Sequence, residues 1–251
     1  MTPRDIAEAG RLVRESRYLI AFTGAGISAE SGIPVFRGPG GLWRKYRPED
    51  LATPEAFKRN PRLVWEWYRW RMELVFSAKP NPAHKLLARL EEKGILKAVI
   101  TQNVDCLHRI AGNRRVIELH GSLRRVKCTR CAYKAEIRAP PKEDLPRCPI
   151  CGSLLRPDVV WFGEPLPEGE LREAFLEASK ADVVLVIGTS GAVDPAGLIP
   201  LYAKKQGAKL INVNPEPNRY TGIADVEARM GAVEFAKKIA IVLGIGEASL
   251  G

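Results

Sequence analysis

The sequence is poor in histidine, with three in 251 residues, and in aromatic side chains, at 7%. No apolar run comes near the ~20 residues that a membrane-spanning helix needs. The opening stretch, MTPRDIAEAGRLVRE, is charged and helical in pattern, with no apolar segment before a small-residue cleavage site. A secretory signal is therefore not expected, and the predicted location is cytoplasmic. Internal repeats and low-complexity tracts are missing too. A 45% hydrophobic fraction beside 27% charged residues excludes extensive disorder. The length fits one large domain, or one domain with a small insert.

One charge sign is in excess: 39 Lys and Arg stand against 29 Asp and Glu, a net +10. The basic residues are dispersed, which predicts a solvated basic surface rather than a nucleic-acid groove. Such a surface attracts phosphates and acidic substrates. Association with nucleic acid or chromatin is expected only indirectly.

Four of the five cysteines fall in two pairs, Cys128-x-x-Cys131 and Cys148-x-x-Cys151, separated by sixteen residues. In a chain without a secretory signal, disulfides would face a reducing compartment. Two such turns at this separation match a four-cysteine zinc ribbon, each knuckle offering two thiolates. Sulfur fills every position, so one Zn2+ there is structural rather than catalytic. Cys106 lies outside the set and reads as a small buried residue.

Around this module, short apolar strands alternate with helical stretches. Strands are predicted at 18–23, 98–101, 116–119, 159–162, 183–188 and 209–213, with helices at 83–93, 168–180 and 196–206. The run Val183-Val-Leu-Val-Ile187 is what a strand buried on both faces requires. The alternation predicts an α/β fold with a doubly wound, mostly parallel sheet, whose ligands sit beyond the carboxyl ends of the strands. Residues 1–37, 83–122 and 157–251 are assigned to that sheet domain. Residues 38–82, rich in Trp, Arg and Pro, form a helical insert, and 123–156 the zinc-ribbon module.

The first strand runs into Thr23-Gly24-Ala25-Gly26-Ile27-Ser28-Ala29, a G-x-G-x-x-A loop. Such glycines let backbone approach a pyrophosphate at a helix start. The acidic residue expected ~20 positions on in a dehydrogenase is missing. In its place comes Ser31-Gly32-Ile33-Pro34-Val35-Phe36-Arg37-Gly38, which disfavours ordinary hydride-transfer chemistry.

The segment Gly24–Gly38 resembles the cofactor loop of the sirtuin family. So do Thr101-Gln102-Asn103-Val104-Asp105, Glu118-Leu119-His120-Gly121, the cysteine tetrad, Gly188-Thr189-Ser190 and Asn214-Pro215-Glu216. The blocks occur in family order between about Phe22 and Ala232. The resemblance implies an NAD-dependent protein lysine deacylase, a transferase, with a Rossmann-like domain and a small zinc-bearing domain. NAD and an acylated-lysine protein or peptide would meet in the cleft between them.

On that resemblance His120 is the general base that activates a ribose hydroxyl, with Asn103 as its catalytic companion. Its chemistry suits the role, since an ordinary imidazole titrates near ~6.5. Gly24, Ala25, Gly26, Ala29, Glu30, Ile33, Pro34, Phe36, Arg37, Trp43, Gln102, Asn103 and Asp105 are assigned to NAD. Gly188, Thr189, Ser190, Asn214, Pro215, Glu216 and Ala232 complete that set. Val160, Trp161, Phe162, Gly163 and Glu164 resemble the edge that pairs with substrate peptide by strand addition. Tyr68 and Arg71, three residues apart in the aromatic stretch 61–76, share a helix face. In the branch that removes acidic acyl groups, a Tyr and an Arg at this spacing hold the distal carboxylate, so desuccinylation or demalonylation is expected beside deacetylation. Two rival readings stay open: a mono-ADP-ribosyltransferase using the same cleft, and a zinc-ribbon nucleic-acid module.

Overall fold

The computed structural model describes residues 3–36, 40–246 and 250, and at positions 3, 4 and 43 the backbone alone. In chain order its elements begin with α1 (Pro3–Glu15), β1 (Leu19–Thr23) and short 3-10 turns at Ala25–Ser31 and Leu42–Arg44. Then come α2 (Pro48–Leu51), α3 (Pro54–Arg59), α4 (Pro61–Ser77), α5 (Pro82–Glu92), β2 (Leu96–Thr101) and α6 (Leu107–Ala111). They continue with β3 (Val116–Glu118), β4 (Gly121–Cys128), β5 (Lys134–Glu136), β6 (Leu155–Val159) and α7 (Glu168–Lys180). The last are β7 (Val183–Ile187), α8 (Leu198–Lys205), β8 (Lys209–Val213), β9 (Val226–Ala228) and α9 (Ala232–Val242).

Six strands form one parallel sheet in the order β3-β2-β1-β7-β8-β9. Successive side chains of a strand point to opposite faces. Ile20 and Phe22 therefore pack with Ala174, Ala178 and Ile199 on one side. Leu19 and Ala21 pack with Leu87, Phe235 and Ile239 on the other. Both faces are covered, as the apolar runs require. The predicted strands lie within two residues of their expected bounds, with one exception. The run 159–162 is not a strand of this sheet; β6 covers Leu155–Val159 and pairs antiparallel with β4. Its Arg156, Pro157 and Asp158 disguise it, because both charges are buried in ion pairs rather than solvated.

The strand order reverses between β2 and β7, on either side of β1, so the loops after β1 and β7 diverge at the sheet's centre. They touch there backbone to backbone. Gly24 N donates to Ile187 O at 3.0 Å and Gly26 N to Gly188 O at 2.8 Å. A Cβ on Gly26 would lie 2.7 Å from Gly188 Cα. The G-x-G loop thus uses its glycines first to seat one loop on another, before any ligand is considered.

A second lobe carries the antiparallel sheet β5-β4-β6. Helix α4 starts at Asn60, whose side chain accepts from Leu63 N, with Pro61 in its first turn. The Trp65 indole donates to Leu155 O at 2.9 Å and so fixes α4 on β6. Phe57, Trp65 and Met72 of the helical insert share one core with Leu123, Val126 and Leu155 of the small sheet. That sheet begins at Gly121 and ends at Val159, slightly outside the span 123–156 assigned from sequence.

The four sulfurs of Cys128, Cys131, Cys148 and Cys151 lie within 4.8 Å of one another. Arg130 N and Cys131 N donate to Cys128 Sγ, and Ile150 N to Cys148 Sγ, at 3.3–3.4 Å. Backbone donors on two knuckles stabilise thiolates, and four thiolates around one point fit a single tetrahedral Zn2+.

Two measurements test this architecture. A strong chelator is expected to lower the melting temperature by more than about 5 °C, and Cys148→Ser to do so unaided; unchanged melting in both would remove the metal from the tetrad. Gly188→Ala, at φ +64° against the backbone of Gly26 and Ile27, is expected to cost about 2–4 kcal/mol. Gly94→Ala, at φ +71° with open space around it, carries the backbone strain alone. Equal losses for both in urea denaturation would show that the loop contact contributes nothing.

Candidate active site

The carboxyl ends of the parallel strands and the inner face of the second lobe enclose a cleft of about 830 Å3. Gly24, Ala25, Gly26, Ala29, Glu30 and Phe36 reach it from the chain after β1, and Gln102 and Asn103 from the end of β2. His120 follows β3; Gly188, Thr189 and Ser190 follow β7; Asn214, Pro215 and Glu216 follow β8; Ala232 opens α9. Tyr68 and Arg71 on α4 and residues 160–164 after β6 line the opposite side. The structure thus gathers residues from across the sequence at the point where the strand order reverses, the place open α/β sheets keep for ligands.

Some expected residues stand elsewhere. Ile33, Pro34 and Asp105 do not line the cleft. Arg37 lies outside the described residues, and of Trp43 only the backbone is described. Sequence reasoning missed the apolar lining of Val35, Ala52, Trp67, Val104, Leu166 and Val193. Val35 and Val104 sit inside quoted motifs but have no polar group to mark them, and the other four carry no motif; a covered cleft simply needs apolar walls.

His120 Nδ1 lies 3.0 Å from Gln102 O. A carbonyl only accepts, so Nδ1 carries the proton and Nε2 keeps its lone pair. Burial holds the imidazole below its usual range, partly offset by that carbonyl bond. The ring is therefore neutral near pH 7 and able to take a proton. Gln102 is itself fixed, its Nε2 donating to Thr189 Oγ1 at 2.8 Å and its N to Thr23 O at 3.0 Å.

Behind the β1 loop runs a buried polar seam. Ser28 Oγ donates to Asp105 Oδ2 at 2.7 Å and accepts from Asn103 Nδ2 at 3.3 Å. Asn103 Nδ2 also donates to Gly24 O at 3.0 Å. Burial raises the Asp105 carboxyl above its usual range, opposed by Leu107 N and Ser28. Asp105 thus holds Ser28 and the turn into α6 from behind the cleft wall. His84 accepts from Asn81 N through Nδ1, closing the capping box of α5, so its Nε2 proton faces Ser28. Burial lowers His84 to about 3 and His108 well below the usual value. Both histidines are structural. Ser28, the hub of the seam, was missed, because a lone serine in a glycine loop gives no sequence signal.

After β8, Asn214 Nδ2 and Asn218 Nδ2 both donate to Thr189 O, at 3.1 and 2.9 Å. These bonds hold the Gly188–Ser190 turn. Glu30 Oε1 accepts from Val233 N at 3.3 Å, where it caps α9.

Arg71 is 8% exposed, with its guanidinium over the rings of Phe36 and Trp67 at 4.7 and 5.0 Å. No carboxylate of the described residues lies within ion-pair distance of it. Burial lowers its pKa, opposed by the neighbouring Tyr68 and Asp105. A buried arginine without a carboxylate is uncommon, because desolvation of the charge has to be compensated. Residues 160–164 form a turn rather than a strand. Val160 N donates to His120 O, Phe162 N to Ala52 O and Trp161 N to Glu164 Oε2, each at 2.9 Å.

Residues 24–195 match the family model described as Sir2 family. The chain is 66% identical over 238 residues to the NAD-dependent protein deacylase of Aeropyrum pernix, covering 95% of this chain and 97% of that one. A Sir2 homolog–NAD complex shares 51% identity at a TM-score of 0.89, over 97% of this chain and 94% of its own. A Sir2 in complex with a deacetylated p53 peptide and 3'-O-acetyl ADP ribose shares 40% identity at a TM-score of 0.89, over 98% and 99%. Identity of this extent, over a cleft assembled from the motifs that resemble sirtuins, establishes the family: the chain belongs to the Sir2 family.

Proposed function

We propose that the chain is an NAD-dependent protein lysine deacylase that favours acidic acyl groups and retains deacetylation. One observation carries the reading: a neutral, oriented imidazole and an unpaired buried guanidinium face the same cleft, across from a wall of glycine backbone. The relatives' names and their complexes with NAD and a deacetylated peptide support it. A four-cysteine cluster placed for a zinc ion agrees with a reducing compartment, which we take to be the cytoplasm. Among the described residues no helix is long and apolar enough to cross a membrane.

The residues fit a dinucleotide. At Gly24, Gly26 and Gly188 the floor is bare backbone pressed together, where any Cβ would intrude. Ala25, Gln102, Ser190, Asn214, Glu216 and Ala232 would hold the dinucleotide around that floor. What NAD supplies when bound is an activated anomeric carbon, a nicotinamide leaving group and a ribose hydroxyl to receive the acyl group. Asn103, tied to Gly24 O, keeps the β1 loop in place beneath the reacting end. His120 takes a hydroxyl proton on Nε2, while its Nδ1 proton stays on Gln102 O. Arg71 and Tyr68 hold the distal carboxylate, the guanidinium by charge and the phenol by its proton. Burial raises the Tyr68 pKa, so that proton stays on. Residues 160–164 support the peptide on which the acyl-lysine arrives.

Three outcomes test the reading. His120→Ala is expected to cut turnover about 100-fold or more, while NAD still shifts the melting temperature. Because burial depresses His120, the base is deprotonated above its lowered pKa. The acidic limb of kcat/KM should therefore fall with a midpoint below 6.5; a limb centred above that value would remove His120 as the base. Arg71→Met is expected to lower desuccinylation at least about tenfold more than deacetylation, the scale of a lost charged hydrogen bond. An equal fall in both would make Arg71 structural. Labelled NAD that leaves ADP-ribose on protein without loss of acyl groups would favour ADP-ribosyl transfer instead.

A further inference from the structure

Tyr68 has one hydroxyl proton, and what the acyl pocket does with a carboxylate depends on where that proton points. The phenol oxygen accepts from Trp161 Nε1 at 2.9 Å, with Tyr68 and Trp161 exposed by only 2% and 3%. An indole N–H donates and never accepts. The Arg71 guanidinium lies beside the ring, 5.8 Å from its centroid, and as a donor only it cannot take the phenol proton. With the indole N–H occupying one side of the oxygen and no acceptor on Arg71, the phenol proton is turned away from Trp161 and is left for another group. Tyr68 and Arg71 line the cleft, so an acceptor in the cleft is that group.

Trp161 is held in this attitude by a clamp of its own. The Arg156 guanidinium stacks on the indole, 3.3 Å from its centroid. It donates to both carboxylate oxygens of Glu164 at 2.6 and 2.9 Å, and to Val159 O at 2.9 Å. Glu164 in turn accepts from Trp161 N. The Arg156–Glu164 pair thus closes the turn 160–164 around the tryptophan, and Phe57 packs on the ring at 5.3 Å. A guanidinium stacked on an indole and forked on a carboxylate is a stiff arrangement.

We propose that Trp161 is a positioning residue for acyl selection: its indole N–H, clamped by Arg156 and Glu164, points the Tyr68 hydroxyl proton at the distal carboxylate of the acyl-lysine. This rests on the reading that Tyr68 and Arg71 hold that carboxylate. It adds that selectivity resides partly in the turn that supports the peptide. An acetyl group, having no distal acceptor, makes no use of the oriented proton.

The test is a double-mutant cycle on the full chain, reading kcat and KM separately with succinyl-lysine and acetyl-lysine peptides of one sequence. Trp161→Phe keeps a ring and removes the donor. It is expected to lower kcat/KM for the succinyl peptide about 3- to 10-fold more than for the acetyl peptide, mainly through KM. In a Tyr68→Phe background the same change should leave the succinyl-to-acetyl ratio where Tyr68→Phe alone put it. Replacing Trp161 by 3-benzothienylalanine, with sulfur in place of the N–H, repeats the test at constant shape if Trp161→Phe melts early. Equal losses on both peptides, or a ratio effect that persists without the Tyr68 hydroxyl, would overturn the proposal. If Arg71→Met and Tyr68→Phe also leave the ratio unchanged, the acyl-pocket reading itself fails and this inference falls with it. If those two change the ratio and Trp161→Phe does not, the pocket stands and the positioning role alone is lost.

Discussion

The contact between the loops after β1 and β7 is the constraint on which the rest of the site depends. Gly26 lies against the backbone of Gly188, and Gly24 against Gly188 O and Thr189 Cβ. Residues 24–27 can turn so tightly away from the sheet only because Gly188 adopts φ +64° and offers its carbonyl to Gly26. That seating fixes the start of the 3-10 turn at Ala25–Ser31 and aims Ser28 into the interior. From Ser28 the order spreads through Asp105, Asn103 and His84 to the turns after β2 and before α5. A floor made of backbone also admits a ligand closer than side chains would. Close packing and ligand access thus have the same cause.

The second lobe meets this floor through few but specific links. Val160 N donates to His120 O, so the base and the turn that supports the substrate side are one residue-to-residue bond apart. Glu118, at the end of β3, pairs with Arg125 of β4, which also pairs with Asp158 of β6. These ion pairs are mostly buried at the carboxylate, where truncating one partner costs far more than a surface pair would. They tie the strand that delivers His120 to the sheet that delivers Trp161. The base and the acyl pocket proposed above therefore depend on the same junction between lobes.

How much of this the sequence carries depends on the length scale of each signal. β7 is visible because Val183–Ile187 is an unbroken apolar run, and the cysteine tetrad because its spacing has few other uses. β9 is three residues long and cannot be told from a turn by periodicity. β6 is hidden because Arg156 and Asp158 look solvent-facing, whereas each finds its ion partner on another segment. The aromatic stretch 61–76 matches α4 to within one residue, because it is long and its apolar side chains recur at helical spacing. Within the site, motif residues at strand ends were found together, since a strand end fixes where a side chain goes. Ser28 and the Trp161–Tyr68 bond were not, for they exist only once segments 56 to 93 residues apart are brought into contact. Asp105 shows the converse: its motif is plain, yet the fold sets it behind the wall rather than on it.

The net charge of +10 acquires meaning by the same reasoning. Arg11, Arg89, Arg172 and Lys238 pair with neighbours on their own helices, at positions where such pairs contribute little. Their charge is a solvated coat. Arg156 is buried but answered by Glu164. Arg71 is buried and answered only by aromatic faces. Ring stacking contributes about 0.5–2 kcal/mol per favourable contact. Desolvating a guanidinium costs several. A chain that needed Arg71 only for packing would be more stable with methionine or leucine there. Retaining the charge makes physical sense where a carboxylate enters the cleft and completes the pair. Among the basic residues that line the cleft, Arg71 is thus the one whose environment asks for an acidic ligand, and it lies on the face of α4 that the Trp161 turn closes.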